Sequence, residues 1–356
     1  MGNQRFSPLL RLILCLIAPG ILLCVQGSSH REHTKLFAFG DSYADTGNTA
    51  RPLSKFASSP WTSPYGISFP GNPDGRYSDG LVFTDYLAKY MGMRTPVAYK
   101  NWRDNSPKKL RNGMNFAYGG TGVFDTLAPY PNMTTQIDLF EQLVKQQVYP
   151  SKDLRNSVVL VQLSGNDYAT YLIEHPDLNG VVAFIGKVVA QLVVNIRRIY
   201  SMGVKQVLVS GLQPLGCLPL ETRSTNYTVC NSLINVAVGV HNGLLKQAVT
   251  QLNSEVEESY TPFILLDMHD TFMTVINNHT GDANFGNPLE PCCIGINSTY
   301  SCASYTDEGA KLYTLCESRK SRFLWDSFHP TNEGWNVVSS LLHDSLSQLQ
   351  LSHKHK

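Results

Sequence analysis

The segment FLWDSFHPT, residues 323–331, places two acid–base side chains three positions apart. They are Asp326 and His329, and Pro330 follows directly. Such a pair can be half of a metal site, two members of a catalytic triad, or a polar turn that caps the next helix. No third or fourth ligand stands at a diagnostic spacing, which disfavours a metal site. The choice between the other two depends on what other segments bring to this pair.

A candidate nucleophile, Ser42, lies in the segment FAFGDSYADTGN at residues 37–48. A serine hydroxyl is a weak nucleophile and needs a base, most often a histidine that a carboxylate holds in one tautomer. Ser42, His329 and Asp326 together would supply this set. Alone, a serine in a Gly-Asp-Ser sequence is more simply interpreted as the N-cap of a helix. The hypothesis of a nucleophile therefore rests on the combination of segments.

Two further segments carry hydrogen-bond donors that ester cleavage would need. The reaction builds negative charge on a carbonyl oxygen, and donors already aimed at that oxygen stabilise the charge. The segment NFAYGGTG (115–122) contains Gly119 and Gly120, whose N–H groups can be approached closely because no Cβ intervenes. The segment LSGNDY (163–168) contains Asn166, whose side-chain amide is another donor. Each of these residues could also serve only a turn.

Four short aliphatic segments are the predicted strands that position these residues. They are KLFAF (35–39), VVLVQL (158–163), QVLVSG (206–211) and FILLDM (263–268). Nearly continuous apolar strands are typical of a parallel sheet that is covered by helices on both faces. In such open sheets ligands bind beyond the carboxyl ends of the strands. We therefore expect the serine, the glycines, the asparagine and the Asp–His pair at one edge of the sheet.

Longer helical patterns separate the predicted strands. One covers residues 181–202 and ends before Gly203, and a second covers residues 231–252. Pro330 is predicted to open a terminal helix. The apolar stripe of this helix would be Val337, Val338, Leu341, Leu342 and Leu346. Since no linker interrupts the alternation of strands and helices, it predicts a single α/β domain over residues 29–356.

One long segment fits neither strand nor helix. Residues 58–80 are rich in glycine, proline and serine and predict a loop, either a binding rim or a structural excursion. The chain also contains no Gly-x-Ser-x-Gly sequence, which disfavours the α/β-hydrolase fold despite the similar chemistry.

Together these segments resemble the GDSL-type, or SGNH, hydrolases, and within them the plant esterase/lipase branch. FAFGDSYADTGN is similar to the first motif of the family, NFAYGGTG to the second, LSGNDY to the third and DSFHPT to the fifth. The resemblance spans roughly residues 35 to 345. It implies a flavodoxin-like three-layer α/β/α sandwich with a mostly parallel sheet. The site residues that it implies are the nucleophile Ser42, the oxyanion donors Gly119 and Asn166, and the pair Asp326 and His329.

Two positions leave details of the resemblance open. Gly120 is the neighbouring alternative to Gly119 as the oxyanion glycine. Tyr43 stands where the family motif has the leucine that gives the family its name. A different side chain next to the nucleophile is expected to change the pocket, and hence the substrate, more than the chemistry.

The start of the chain indicates secretion. A basic beginning, the short apolar run LILCLIAPGILLCV and the small residues that follow are typical of a signal peptide, predicted here as residues 1–28 and removed. A membrane anchor is the alternative, but Pro19 and Gly20 interrupt a run that is already short for a span. The sequons support export as a glycoprotein. They begin at Asn132, Asn226, Asn278 and Asn297.

The mature chain keeps six cysteines, an even number that predicts disulfides in an oxidising compartment. They are Cys217, Cys230, Cys292, Cys293, Cys302 and Cys316. Cys217 is predicted to pair with Cys230, since a Pro/Gly loop between a strand and a helix separates them. The other four would form two bridges in an unknown pairing that excludes Cys292 with Cys293.

The sequence therefore predicts a secreted, extracellular serine esterase or lipase that needs no cofactor and no metal. Charged residues make up 16% of the chain and the formal net charge is +1, so nothing favours a nucleic-acid partner. A lipid, a polysaccharide ester or another small-molecule ester is the expected substrate. We expect a monomer with no transmembrane segment. An acyltransferase that uses the same residues, and a non-catalytic protein that binds cell-wall glycans or lipids, are the alternatives.

Overall fold

The computed structural model describes residues 15–18, 21–24, 34–54, 58–105, 107–176, 179–277 and 285–351. The chain divides into two units, residues 1–32 and 33–356. In the first unit, strands β1 (Cys15–Ala18) and β2 (Ile21–Cys24) pair antiparallel. The signal peptide is predicted to cover residues 1–28, and apart from these two strands it lies outside the described residues. Removal of the signal peptide stays a prediction.

The second unit is built on a six-stranded sheet. Its strands are β3 (Lys35–Gly40), β4 (Val97–Ala98), β5 (Gly113–Asn115), β6 (Ser157–Gln162), β7 (Gln206–Ser210) and β8 (Phe263–Leu266). The order across the sheet is β4–β5–β3–β6–β7–β8, and all neighbouring pairs are parallel. The five strands from β5 to β8 follow the flavodoxin-like order, and β4 adds an edge strand. The four predicted strands are all present, with ends shifted by at most two residues.

Helices cover both faces of this sheet. They are α1 (Phe83–Tyr90), α2 (Pro107–Leu110), α3 (Met133–Lys145), α4 (Ser151–Leu154), α5 (Asn166–Glu174), α6 (Val181–Ser201), α7 (Pro219–Thr222), α8 (Ser232–Ser254), α9 (Met268–Asn277), α10 (Asn332–Leu341) and α11 (His343–Ser347). Among the described residues, no helix is both long and apolar enough to cross a bilayer.

Alternate residues of each strand enter two separate cores, which makes the fold a three-layer sandwich. In β3, Phe37 and Phe39 pack with the side chains of α3, α6 and α8. Leu36 and Ala38 point to the other face, where α1, α9, α10 and α11 pack. Because both faces are covered, the strand is apolar at each position from Leu36 to Phe39, as a buried parallel strand requires. The predicted α/β fold is confirmed.

The terminal helix differs from its prediction. Pro330 does not open it; the helix begins at Asn332, and the side chain of Thr331 caps it by accepting a hydrogen bond from the Gly334 N–H at 2.8 Å. Leu341 is 45% exposed and does not belong to the buried stripe. The buried line runs through Val338, Leu342 and Leu346, four residues apart, and Leu341 lies to one side of it.

Three disulfides pin the segments outside the sheet. Cys217 is bonded to Cys230, the pair that the sequence predicts, and this bridge ties the loop after β7 to the residue before the N-cap of α8. The remaining pairs are Cys292–Cys316 and Cys293–Cys302. They hold a two-stranded antiparallel ribbon of β9 (Cys293–Gly295) and β10 (Tyr313–Leu315). This ribbon leads directly to the segment that contains the Asp–His pair.

A buried histidine behind the sheet edge makes stability depend on pH. His241 in α8 is 4% exposed, and its Nδ1 lies 2.6 Å from the Tyr168 hydroxyl of α5. Burial lowers the pKa of His241 from 6.5 to about 4. The folded state therefore keeps this ring neutral at pH values where the unfolded chain protonates it. The stability that results is complete above pH 6.5 and is lost progressively as the pH falls toward 4.

We predict that His241→Gln removes part of the pH dependence of unfolding. Lowering the pH from 7.5 to 5.5 should cost the wild-type protein about 1.4 kcal/mol more than it costs this variant. Urea unfolding at the two pH values measures the difference. His343→Gln, a change at a side chain with 69% exposure, is the matched control and should behave as wild type. An equal pH effect in wild type and His241→Gln would contradict the assignment.

Candidate active site

The sequence-predicted site residues meet where the strand order reverses. The chain continues from β3 to β5 on one side, whereas β6 lies on the other side of β3, and such a switch point leaves a crevice beyond the strand ends. Ser42 follows β3, and Asn166 follows β6. Gly40 ends β3 with φ +139°, and a Cβ on it would lie 1.8 Å from the Gln162 carbonyl oxygen. Only glycine permits the two strand ends to approach this closely.

Ser42, His329 and Asp326 form a continuous hydrogen-bonded chain. The Ser42 Oγ lies 2.8 Å from His329 Nε2, and His329 Nδ1 lies 2.8 Å from Asp326 Oδ1. An ionised carboxylate only accepts, so Nδ1 carries a proton and Nε2 is left to accept from the serine hydroxyl. All three residues are buried, with exposures of 4 to 7%. The arrangement can therefore remove a proton from the serine.

The Asp326 carboxylate also shapes the turn that carries the histidine. Its Oδ1 accepts hydrogen bonds from the backbone N–H of Phe328 at 2.8 Å and of His329 at 2.9 Å. The Trp325 N–H donates to the His329 carbonyl oxygen at 2.6 Å and closes the turn. Burial alone would raise the pKa of Asp326, but His329 and the hydrogen bonds of the turn outweigh it and hold that pKa below its usual value. Because Asp326 and His329 are three positions apart, the same carboxylate can bond both the backbone N–H groups of the turn and the imidazole ring of His329.

The structure does not support Gly119 as the oxyanion glycine. Its N–H donates to Asp45 Oδ2 at 3.1 Å and to Thr49 Oγ1 at 2.9 Å, so the group is already used inside the protein. A Cβ on Gly119 would lie 2.3 Å from the Tyr77 ring, which explains the need for glycine by packing. Gly120 lines the cavity next to Ser42 and has φ +79°. These contacts favour the neighbouring alternative, and the role of either glycine as an oxyanion donor stays a prediction.

Asn166 lies at the first position of α5 and lines the same cavity. Its side-chain amide donates to Asp41 Oδ2 at 2.9 Å and to the Thr121 carbonyl oxygen at 3.0 Å. A bound carbonyl oxygen would have to take one of these two hydrogens from its present acceptor. The contacts place Asn166 between the loop after β3 and the loop that contains Gly120.

Asp41, directly before the candidate nucleophile, is a buried acceptor that links the loops after β3 and β6. Its carboxylate accepts from the Ser164 N–H and Oγ–H, from Asn166 and from the Tyr43 N–H. Burial raises the pKa of Asp41 to about 6, while the bonds from Ser164 and Tyr43 oppose this. Asp41 is consequently ionised at neutral pH, as its set of donors requires.

Two further buried aspartates fix the glycine loop, and sequence reasoning assigned neither a role. Asp45 accepts from the backbone N–H of Gly47 and Asn48 with Oδ1, and from those of Thr49 and Gly119 with Oδ2. Burial raises its pKa. The sequence could have indicated a role for Asp45, because this residue lies in the segment that resembles the first family motif.

Asp167, next to Asn166, accepts from the Val123 and Phe124 N–H groups, each at 2.9 Å. Burial raises the pKa of its carboxyl as well. Asn166 is thus one candidate oxyanion donor, and its neighbour Asp167 holds the loop that contains the other candidate, Gly120.

A cavity of about 700 Å³ opens beside Ser42, His329 and Asp326. Part of its lining is aromatic or polar and comes mainly from the 58–80 loop: Ser58, Ser59, Pro60, Tyr65, Tyr77 and Tyr130. Another part is aliphatic and comes from α5, α6, α8 and the loop after β7. We name it the aliphatic arm; its members are Leu172, Val181, Ile185, Leu212, Leu215, Leu218, Leu233, Ile234, Ala237 and Val238. The long loop lines the cavity and also packs against the Cys293–Cys302 disulfide, and its role as a binding rim stays a prediction.

The aliphatic arm begins next to Asn166. A Cβ on Gly165, the residue before it, would lie 3.0 Å from Leu215 Cδ1. The arm is therefore continuous with the candidate oxyanion donors. Within the part of the chain that the structure describes, no group of three or more His, Cys, Asp or Glu side chains could hold a metal ion.

A flavodoxin-like sandwich with a Ser–His–Asp chain at its switch point is the arrangement that the four sequence motifs imply for SGNH hydrolases. A model of the GDSL-like Lipase/Acylhydrolase family matches residues 36–342. The chain belongs to this family, and its class is that of the carboxylic ester hydrolases. The resemblance stated from the motifs is confirmed.

Plant relatives match nearly the whole chain. The protein named GDSL esterase/lipase At5g03610 from Arabidopsis thaliana is 46% identical over 95% of this chain and 98% of its own length. Acetylajmalan esterase 2 from Rauvolfia serpentina is 27% identical over 89% of this chain and 91% of its own. Among solved structures, a catalytic mutant of an acetylxylan esterase from Geobacillus stearothermophilus aligns with a TM-score of 0.45 at 13% identity, covering 90% of this chain and 97% of that one.

We predict that Asp45→Ala strongly destabilises the protein. The change leaves buried N–H groups of Gly47, Asn48 and Thr49 without an acceptor, and the free energy of unfolding should fall by at least about 3 kcal/mol. Urea unfolding at pH 7 measures it. Asp344→Ala, at a fully exposed carboxylate, should change the same quantity by no more than about 0.5 kcal/mol. Equal losses in the two variants would refute the role of Asp45.

Proposed function

We propose that the protein is a secreted serine esterase or lipase whose nucleophile is Ser42. The observation that carries the proposal is the hydrogen-bonded chain from the Ser42 hydroxyl through His329 to Asp326, at the mouth of the cavity. His329 Nε2 takes the serine proton while Ser42 Oγ attacks the ester carbonyl, and Asp326 stabilises the imidazolium. His329 then returns the proton to the leaving alcohol. Water, activated by the same ring, releases the acid from Ser42.

The negative charge of the tetrahedral intermediate needs donors next to Ser42. We assign this role to the N–H groups of Gly120 and Ser42 and to the side-chain amide of Asn166. Gly120 replaces the sequence-based choice of Gly119, whose N–H is engaged by Asp45. Each such donor contributes roughly 3–4 kcal/mol to transition-state stabilisation in other enzymes.

The acyl group of the substrate is proposed to enter the aliphatic arm. The arm starts beside Asn166 and its own side chains are apolar, although Tyr168, Gln213 and Glu221 also line the cavity. Burying each methylene of an acyl chain contributes about 0.8 kcal/mol. The aromatic and polar part of the cavity, around Tyr77 and Tyr130, is left for the alcohol.

Secretion and glycosylation are part of the same proposal. Three disulfides suit an oxidising compartment. Asn226 and Asn297 are exposed and suit glycan attachment. Asn132 is half-buried, caps α3 and donates to Asp125, which makes it a poorer site for glycan attachment. Asn278 lies outside the described residues.

We expect a fluorophosphonate probe to label one serine, in the peptide that contains FGDSYADTGN. Ser42→Ala should abolish both labelling and ester hydrolysis. His329→Ala should lower kcat on the order of 10⁴-fold, because no other group can take the proton. Mass spectrometry of the labelled peptide and kinetics with p-nitrophenyl acetate measure these effects.

Ser327→Ala is the matched control for the turn and should keep kcat within a few fold. Circular dichroism shows whether each variant is folded. Labelling at another serine, or near-normal turnover in folded His329→Ala, would remove the basis of the proposed mechanism.

We also predict a dependence of activity on chain length. In a series of p-nitrophenyl esters, kcat/KM should rise by about fourfold per added methylene until the arm is filled. Ala237→Phe, which adds bulk inside the arm, should abolish this rise and spare the acetyl ester.

Ala248→Phe places the same ring on the same helix outside the cavity, and the rise should persist there. A wild-type enzyme that prefers acetyl to octanoyl esters would contradict the assignment of the arm, though not that of Ser42.

A further inference from the structure

Tyr43, the residue that departs from the family motif, is among the residues that line the cavity, and its side chain is held by contacts with the protein. The side chain is 1% exposed and packs edge-on against Trp335 of α10, with the ring centroids 5.0 Å apart. Its hydroxyl donates to the Phe328 carbonyl oxygen at 2.7 Å. The residue after the candidate nucleophile is thus bonded to the residue before the candidate base. Leucine at this position could fill space but could not make that bond.

Tyr65 contacts the same turn at the carboxylate of Asp326. Its hydroxyl donates to Asp326 Oδ2 at 2.7 Å, and its side chain is 6% exposed. The ring sits in a small core with Trp325 and the cystines of the 292–316 ribbon. Residues 323–325 are bonded to that ribbon, since the Cys293 N–H donates to the Trp325 carbonyl oxygen at 2.7 Å. The long 58–80 loop therefore places a phenol against the carboxylate of the Asp–His pair.

We propose that Tyr43 and Tyr65 are positioning residues, whose two hydroxyls hold the Asp326–His329 turn in register with Ser42. The inference rests on the proposed function, because it assigns an effect on the reaction of Ser42. Tyr43 fixes the backbone of the turn relative to the nucleophile loop. Tyr65 fixes the rotation of the Asp326 carboxylate by bonding Oδ2, the oxygen that also lies 2.9 Å from His329 Nδ1. Neither residue touches the reacting atoms.

The need for such ties follows from where the turn lies. Ser42 belongs to the loop after the first strand of the sheet, whereas His329 comes 287 residues later. The Ser42–His329 bond is a single side-chain contact, and a displacement of about 1 Å in such a contact can cost on the order of 10²-fold in rate. A second tie that is independent of the reacting atoms keeps the separation constant while the proton moves.

The two hydroxyls should have different effects on pH dependence. The titratable groups that face the Asp–His pair are Asp41, Tyr43, Tyr65 and Tyr77. Burial raises the pKa of the three phenols above the usual value, so they are neutral donors at assay pH. Without the Tyr65 hydroxyl the Asp326 carboxylate accepts one bond fewer and stabilises the imidazolium more strongly. Without the Tyr43 hydroxyl only the Phe328 carbonyl oxygen loses a donor, and the hydrogen bonds of the Asp326 carboxylate are unchanged.

The test compares Tyr43→Phe, Tyr65→Phe and Tyr86→Phe with wild type. Each change removes one oxygen and keeps the ring. Tyr86 is the matched control, because its hydroxyl donates to the Asn332 carbonyl oxygen at 2.8 Å, beyond the turn. Hydrolysis of p-nitrophenyl acetate is measured from pH 5 to 9, and rates are divided by the number of serines that a fluorophosphonate titrates. This normalisation makes the result independent of any unfolded fraction.

We expect kcat to fall about tenfold in Tyr43→Phe and roughly 10- to 100-fold in Tyr65→Phe, with KM unchanged in both. The acid limb of the kcat/KM profile should move up by about 0.5 pH unit in Tyr65→Phe only. Tyr86→Phe should keep kcat within about twofold, even where its melting temperature falls as much as in the other two. A structural role alone would produce no such difference.

Three results would overturn the inference. They are a kcat in Tyr43→Phe and Tyr65→Phe equal to that of Tyr86→Phe, a loss confined to KM, or an identical shift of the acid limb in all three variants. His329→Ala, assayed in parallel, separates this inference from the proposed function. If that variant is inactive and the two tyrosine variants have the same kcat as Tyr86→Phe, only the positioning role fails; if His329→Ala is active, the proposed function itself fails.

Discussion

Buried carboxylates that accept backbone N–H groups hold the loops at the carboxyl edge of the sheet. Asp41, Asp45, Asp167 and Asp326 each accept at least two such bonds, and the donating N–H groups lie in four different segments. These loops have left the sheet, so their N–H groups have no strand partner and would be costly to bury unpaired. Burial raises the pKa of the first three, whereas His329 holds that of Asp326 low. Local order at the site therefore depends on acceptors that the fold has desolvated.

The same carboxylates connect the segments that carry the chemistry. Asp41 joins the loop of Ser42 to the loop of Asn166, and Asp45 joins it to the glycine loop. Because the parallel strands end side by side, these bonds are short, although the residues lie far apart in sequence. A change at one carboxylate disturbs several loops at once, which is why the site acts as one unit and not as separate motifs.

Around this framework, the parts of the cavity have different origins. The aliphatic arm is made by helices that also form the main core, so its shape is tied to the sandwich itself. The opposite lining comes from the 58–80 loop and the 292–316 ribbon, which add a small disulfide-linked core of their own. The phenol of Tyr65 belongs to this added part, whereas that of Tyr43 belongs to the nucleophile loop. Two tyrosines from unrelated segments therefore converge on one turn.

By itself the sequence determined the α/β class, the four main strands and the family, and it predicted as site residues Ser42, Asn166, Asp326 and His329, which the structure brings to one edge of the sheet. These are local signals, since an apolar run between turn residues and a short motif can be recognised without knowing what they contact. Only the tertiary structure decided which glycine faces the cavity, how the last four cysteines pair, and which side chain Tyr65 contacts. The Gly119 N–H meets an aspartate 74 residues away, and the Tyr65 hydroxyl meets one 261 residues away. A hydrogen bond over such a separation leaves no periodicity or spacing in the chain, because the fold alone sets the distance between its partners.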